Sequence, residues 1–537
     1  MTSGDLFAMM HFMKKTKRKL SYSIMAVLML GACNGAHTTS YQDRLDQVSN
    51  DMRVKLPRDE ISSVLASGFY SISERALTQV DVRALGLEGM RGLATIDPEI
   101  GVRENNGTVE IRYGDEFVTA LIEPMAHDSE SWSDVVYEAL QALWPYSTDL
   151  AATQAERIYE AVFDAALANL DIFSRYAGKK EAEGHRDKRE GHGGIDVTLK
   201  KIDERFFIDR VGPGSPAFDS GLRKGDMLIS VDGEAVIGKN LNDVYAQIRG
   251  KIQTELVLEI ERPQTNIAQK LFLWRELVIP QTVWSTYDDG VLDVRITSFN
   301  ERTVASLSQD IQDIALMHGK RFQGIVLDLR GNPGGLLKKA VQVADLFLAG
   351  GRIISTKGRH PDSFEVYEAD PVDVAQGRPL VIVMDGKSAS ASEIVAAALQ
   401  DRGRAVVVGS SSYGKGTVQS VQRLPNDGEI TVTWSRLIAP SGYAFHGLGV
   451  RPSVCTSGVN LKGDQGAPLW ENDGRDLMKN WRTVAIEDRN GRKQLRLTCP
   501  PDRKRKRIDI VVARNILLDR SLYKRFMGFT TIATVAQ

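Results

Sequence analysis

The chain lacks the marks of a metal enzyme, a nucleic-acid binder or a membrane-spanning protein. It has only eight histidines in 537 residues, and none stands in the H-E-x-x-H spacing of a zinc-binding helix. Charge of neither sign dominates: 68 Lys and Arg face 69 Asp and Glu, so no general attraction to nucleic acid or anionic lipid follows. One basic run, Arg503-Lys504-Arg505-Lys506-Arg507, has the composition of a nucleic-acid patch, but in a chain marked for export it reads as a solvated loop. The apolar run over residues 20–30 is too short to cross a bilayer as a helix. There are no internal repeats and no low-complexity tracts.

The N-terminus reads as a signal peptide over residues 1–33. Lys14, Lys15, Lys17, Arg18 and Lys19 precede the short apolar run. Leu30-Gly31-Ala32-Cys33 then resembles a bacterial lipobox, which implies cleavage before Cys33 and lipid on its sulfur. Asn34 beside it implies, by analogy with other lipoproteins, a periplasm-facing anchor in the outer rather than the inner membrane. Cys455 and Cys499 are then the remaining thiols. In an oxidising compartment they invite a disulfide, worth about 4 kcal/mol for a loop of roughly 45 residues; the alternative is two unrelated buried thiols.

Length predicts three or four domains. Residues 34–178 read as a helical N-terminal domain, with helices over 42–54, 60–78, 131–144 and 153–170 and a hairpin over 108–122. Residues 179–192, rich in Lys, Glu, Gly and His, read as a mobile linker. Residues 193–275 alternate short strands with glycine turns around a helix over 241–248, in an order that strongly resembles a PDZ domain. Residues 276–455 alternate strand and helix as a layered α/β core, with apolar strands over 324–329, 380–384 and 405–408. Residues 456–537 read as a polar extension with a final helical region near 516–526.

Chemistry concentrates in three places. Lys387-Ser388-Ala389-Ser390-Ala391-Ser392-Glu393 sets Ser390 at the mouth of a predicted helix, whose first N–H groups suit an oxyanion hole. Taken alone, these serines are better explained as helix caps. Tyr413-Gly414-Lys415-Gly416-Thr417-Val418-Gln419 supplies a lysine on a glycine turn after an apolar strand, where burial would favour the neutral amine a general base needs. Gln419 is placed to orient it. The third place is the glycine-rich turn from Asp328 to Leu337, which could complete an oxyanion site. A Walker A loop is excluded for Gly409 to Thr417, because Gly416 stands where Ser or Thr must hold magnesium and a strand, not a helix, follows. His446 is the best histidine for a Ser–His–Asp triad, yet nothing pairs it with an acid.

Together with Leu170-Asp171-Ile172-Phe173-Ser174-Arg175-Tyr176, these motifs make residues 160–455 resemble the C-terminal processing peptidases, or tail-specific proteases. The resemblance implies a crotonase-like ββα core with an inserted PDZ domain. It implies Ser390 as nucleophile, Lys415 as general base, Gln419 as its orienting partner, and the N–H groups of Ala391 and Gly335 as oxyanion donors. The loop Gly193-Gly194-Ile195-Asp196-Val197 would hold a substrate's C-terminal carboxylate beside an added strand. Neither metal nor ATP is implied. The implied partners are proteins with flexible, apolar C-termini and the membrane that holds the lipid, not nucleic acid, with room for a homo-oligomer or an adaptor. Two places depart from the pattern: Pro452-Ser453 stands where the family usually has Pro-Asp, and Asp196 stands where it has glycine, a carboxylate that would repel a substrate C-terminus unless turned aside. A catalytically silent PDZ scaffold for envelope proteins is the competing reading, disfavoured by the joint presence of nucleophile, base, amide and glycine turn.

Overall fold

The computed structural model describes residue 52 and residues 56–125, 128–263, 267–458 and 474–528. The signal segment, Cys33 and, apart from Met52, the helix expected over 42–54 lie outside the described residues. Among the described residues no helix is long and apolar enough to cross a membrane.

The centre is a six-stranded sheet in the order Val283–Asp288, Val291–Ile296, Gly324–Asp328, Leu380–Met384, Val406–Gly409 and Val454–Cys455. Its first pair is antiparallel and the others are parallel. Side chains alternate across a strand, so a strand apolar at every position must be covered on both faces. Leu380–Met384 is buried throughout. One face packs Ile325, Leu327, Ile382 and Val407 against helices Thr303–His318, Leu337–Asp345 and Ala391–Asp401. The other packs Val326, Val381, Val383, Val406 and Val408 against Ile508, Val512, Ile516 and Phe526. Those residues belong to helices Arg507–Leu518 and Arg520–Met527. The segment expected to be a polar extension is therefore the second covering layer of the core, and Cys455 and Cys499 are joined in a disulfide that ties it to the edge strand. The basic run lies against this core: Arg505 sits over Gly331 and Lys506 pairs with Asp502.

A second sheet, in the order Glu365–Ala369, Gly351–Gly358, Glu429–Ile438 and Thr417–Arg423, carries the strand that follows Lys415. Arg175–Ala177 adds to it beside Glu429–Ile438. The N-terminal helices Arg58–Arg75, Val82–Gly92, Ser129–Leu143 and Ala155–Leu167 accompany a three-stranded sheet, where only a hairpin was expected; the added strand, Ile100–Asn105, is mostly exposed and carries little apolar pattern.

The PDZ-like segment forms its own sheet around Phe206, Ile208, Leu228, Val244 and Leu258. Its edge strand Val197–Ile202 faces the helix Leu241–Ile248, and the Tyr245 hydroxyl accepts the Leu199 N–H at 2.7 Å.

Residues expected to be a mobile linker instead form the helix Lys179–Glu190. Only Ala182 of it is buried, so no apolar stripe announces it. It is held from a distance: Arg186 and Arg189 reach the buried Glu429 at 3.0 and 2.8 Å. Charge-assisted bonds of this kind contribute about 1.5–3 kcal/mol where solvent is largely excluded. Glu429→Ala should therefore loosen this helix selectively, raising the rate of tryptic cleavage within residues 179–190 about tenfold; an unchanged rate would show that the ion pairs do not hold it.

Candidate active site

Strand Leu380–Met384 ends in a turn that delivers Ser390 to the N-terminus of helix Ala391–Asp401. Ser390 has φ +54° and ψ −112°, a conformation that costs a non-glycine residue about 1–3 kcal/mol and persists only where its surroundings impose it. Three side chains impose it. Asp385 Oδ1 accepts the N–H groups of Lys387 and Ser388 at 2.9 and 3.1 Å, and also that of Gly331 at 3.0 Å, which ties the serine turn to the glycine-rich turn. Asn332, fully buried, accepts the Gly334 N–H on Oδ1 at 2.8 Å, while its carbonyl accepts from Ala389 N and Ser392 Oγ at 3.0 Å each.

Glu393 is the third. Its side chain is completely buried, and its carboxylate accepts from Ser390 N at 2.8 Å, Lys415 N at 2.9 Å, Gly414 N at 2.7 Å and the Ser412 hydroxyl. Burial pushes this carboxyl above the usual range, and the four donors oppose the shift. A single side chain thus fixes the backbone of the serine turn to that of the lysine turn. The sequence reading missed this role. Its signal was there, a glutamate at the third helical position after a serine cap.

The glycines are close approaches. A Cβ on Gly334 would stand 3.0 Å from Ala389 O and Ser390 Cβ, and one on Gly416 would stand 2.2 Å from His446 N. Neither the Ala391 N–H nor the Gly335 N–H meets an acceptor among the described residues, and Gly335 lines the same cleft of about 290 Å³ as Ser390, Lys415 and Gln419. Two free donors beside a serine at a helix N-terminus suit a developing oxyanion.

Burial pushes the Lys415 ammonium below the ordinary lysine range; the nearby Arg175 cation adds to this, and Asp171 and Glu393 oppose it. Its Nζ rests 4.8 Å from the centre of the Phe173 ring and donates no hydrogen bond to Ser390 among the described residues. The Gln419 amide donates to Thr417 Oγ1 and Thr433 Oγ1 at 3.0 and 3.3 Å, and its Oε1 accepts from no donor among the described residues. Asp171 accepts from Thr433 Oγ1 at 3.0 Å. The segment from Leu170 to Tyr176 therefore runs beside Glu429–Ile438, the neighbour of the strand that follows Lys415, with Phe173 under the amine and Arg175 at the cleft wall. His446 stands edge-on to Phe173; Asp171 is near it but makes no hydrogen bond to it, and its Nδ1 has no partner among the described residues. No cluster of metal-ligating side chains occurs among the described residues.

In the PDZ-like segment, Ile195 is buried in the core and Gly193 and Gly194 pair with Glu276–Val278. The N–H groups of Ile195 and Asp196 have no acceptor among the described residues. Asp196 has φ +54°, which explains glycine as the ordinary occupant of its position. Its carboxylate is turned to Arg210 at 2.9 Å and toward Arg302 of the core at 3.8 Å.

Replacing Glu393 by alanine would strand four buried or half-buried donors at once. We expect Glu393→Ala to lower the melting temperature by about 5–10 °C, from a loss of at least about 3 kcal/mol. A melt matching the parent would mean that the two turns hold each other without it.

Comparison with known proteins places this site in a family. The model described as peptidase family S41 matches residues 290–455, and a PDZ-domain model matches residues 207–262. The carboxy-terminal-processing protease of Bartonella bacilliformis is 34% identical over 305 residues, covering 56% of this chain and 69% of that protein. The carboxy-terminal processing protease CtpA of Bacillus subtilis is 29% identical over 343 residues, covering 63% and 72%. A solved photosystem II D1 C-terminal processing protease aligns with a TM-score of 0.35 and 24% identity over 69% of this chain and 92% of that one. With 34% identity over an alignment that covers 69% of the Bartonella protein, this chain belongs to the S41 peptidases, serine-type proteases of the carboxy-terminal-processing kind.

Proposed function

We propose that the protein is an endopeptidase of the cell envelope working through a Ser390–Lys415 dyad. The observation that carries this reading is the convergence on one cleft of a strained serine, a lysine whose burial favours its neutral form, and unpaired N–H groups. Neutral Nζ takes the Oγ proton as Oγ bonds to the peptide carbonyl carbon. The carbonyl oxygen becomes anionic and is received by the Ala391 and Gly335 N–H groups, each worth about 3 kcal/mol at such a position. Collapse breaks the C–N bond, Nζ returns the proton to the leaving amine, and water, deprotonated by the same nitrogen, releases the acyl group. Lys415 must leave Phe173 for Ser390 to begin this, a rotamer change typical of sites that tighten only with substrate. Gln419 Oε1 is the acceptor suited to hold one Nζ–H and aim the lone pair.

The PDZ segment would take a substrate tail by strand addition along Val197–Ile202, with the Ile195 and Asp196 N–H groups receiving the terminal carboxylate. Pairing of Asp196 with Arg210 removes the repulsion its charge would otherwise exert. The Tyr245 hydroxyl holds an edge N–H that an incoming strand would claim, and Arg302 reaches this loop from the core, so tail capture and core are in contact. The lipobox-like Cys33 would tether the enzyme to a membrane on the periplasmic side, with the outer membrane favoured by Asn34.

An unstructured protein ending in an apolar tail should be cleaved by the parent, with Ser390→Ala and Lys415→Ala each slower by about ten-thousandfold. The rate should rise with pH as Lys415 deprotonates. Arg175→Gln, which removes a cation that favours the neutral amine, should move that rise to higher pH. Cleavage retained in Ser390→Ala, or a pH profile indifferent to Arg175, would refute the assignment. For the anchor, Cys33→Ser should shift the protein from the membrane fraction to the soluble periplasm; unaltered membrane association would remove the lipid from the account.

A further inference from the structure

A second cleft, of about 810 Å³, opens on the other side of the lysine turn. Phe173, on which Lys415 rests, forms part of its wall, and Thr417 lines both this cleft and the one that holds Ser390. Its far wall is the helix Arg489–Leu497, which lies outside the segment matched by the peptidase family.

The charges of this cleft do not balance. Arg436, Arg489, Arg492, Lys493 and Arg496 line it. Arg492 donates to the carbonyls of Ala444 and His446 at 2.7 Å each, and Arg496 to those of Leu448 and Ser412, so both are held by neutral groups and keep their charge. Arg436, Arg489 and Lys493 are exposed and have no carboxylate partner among the described residues. Asp171 is the carboxylate on the wall, and it is committed to Phe173 N, Ser174 N, Ser174 Oγ and Thr433 Oγ1. Between the cations lie apolar surfaces, Phe173 and Leu497, the latter 60% exposed. A recess with low-dielectric walls and charge of one sign concentrates ligands of the other sign.

We propose that this cleft is a substrate subsite for an acidic, partly apolar stretch of polypeptide next to the bond presented to Ser390. Asp or Glu side chains would meet Arg436, Arg489 and Lys493, and apolar side chains would cover Phe173 and Leu497. The proposal rests on Ser390 as nucleophile. A polypeptide is favoured over other anions because the recess continues from the catalytic cleft past a shared residue and alternates apolar with cationic surface. The substrates so selected carry carboxylates within a few residues of the scissile bond, a preference separate from any recognition of the chain terminus by the PDZ segment.

The test is binding of two fluorescent peptides, identical except for paired Glu or paired Gln in an apolar sequence, to the detergent-solubilised full chain carrying Ser390→Ala. Anisotropy should show the Glu peptide binding on the order of tenfold tighter, an advantage that shrinks at about 0.3 M salt. Adding Arg489→Glu and Lys493→Glu, both on exposed helix surface, should abolish the advantage while the melting temperature stays with the parent's. Equal affinity for the two peptides would overturn the proposal, as would an advantage that survives charge reversal. Displacement of the Glu peptide by anionic phosphatidylglycerol vesicles or duplex DNA at lower concentrations than by unlabelled Glu peptide would also overturn it, in favour of that occupant. Failure of the nucleophile assignment would show separately, as cleavage of either peptide by the Ser390→Ala chain.

Discussion

The geometry of the candidate site hangs on one buried carboxylate. Glu393 makes no ion pair among the described residues; its four hydrogen-bond partners are N–H groups and a hydroxyl from two turns distant in sequence. Burying an isolated charge is costly, and it is tolerated here because every donor arrives with good geometry. The reward is positional. One oxygen accepts from both Ser390 N and Lys415 N, so the proposed nucleophile and the proposed base are held to a common origin at the backbone. Pre-organisation of that sort separates a reactive pair from two residues that happen to share a cleft.

A second tier holds the first. Asp385 and Asn332 lace the serine turn to the glycine-rich turn, and below them Arg330 bonds Asp328 and, at 3.0 Å, Asp509 of the C-terminal helix. On the lysine side, Arg492 and Arg496 reach from the helix Arg489–Leu497 to carbonyls flanking the turn, and the Cys455–Cys499 disulfide anchors the end of that helix to the sheet edge. The active-site turns are thus gripped from the inside by carboxylates and from the outside by arginines. Both grips use backbone groups, so they depend on chain path more than on the identity of the residues gripped.

What the sequence made legible follows the range of the forces involved. Ser390, Lys415 and the two glycine turns could be read because each depends on its immediate neighbours: a cap before a helix, a glycine where a Cβ would collide. The apolar strands over 324–329 and 380–384 declared burial on both faces, but not which residues supply the second cover; the helix Arg507–Leu518 is apolar at most of its positions, a signal masked by the charged residues on either side of it when 456–537 is read as one polar extension. The helix Lys179–Glu190 was illegible for the opposite reason. Its stability comes from Glu429, some 240 residues away, and nothing in a run of lysines, glutamates and a glycine reports such a partner. Asp196 lay between these cases: its charge beside a glycine-rich loop could be read, whereas its left-handed backbone and the arginines that neutralise its carboxylate could only be seen in three dimensions.

The second cover of the sheet and the arginines behind the lysine turn are all encoded after residue 474, downstream of both catalytic turns. A chain emerging in sequence order folds its earlier parts first, and contacts spanning 84 to 179 residues close only when their later partner is present. An unfinished copy therefore holds serine and lysine without the frame that keeps them in register. On the proposed assignment, order of synthesis would act as a safety catch, completing the cutting site only after the machinery making the protein has moved past it.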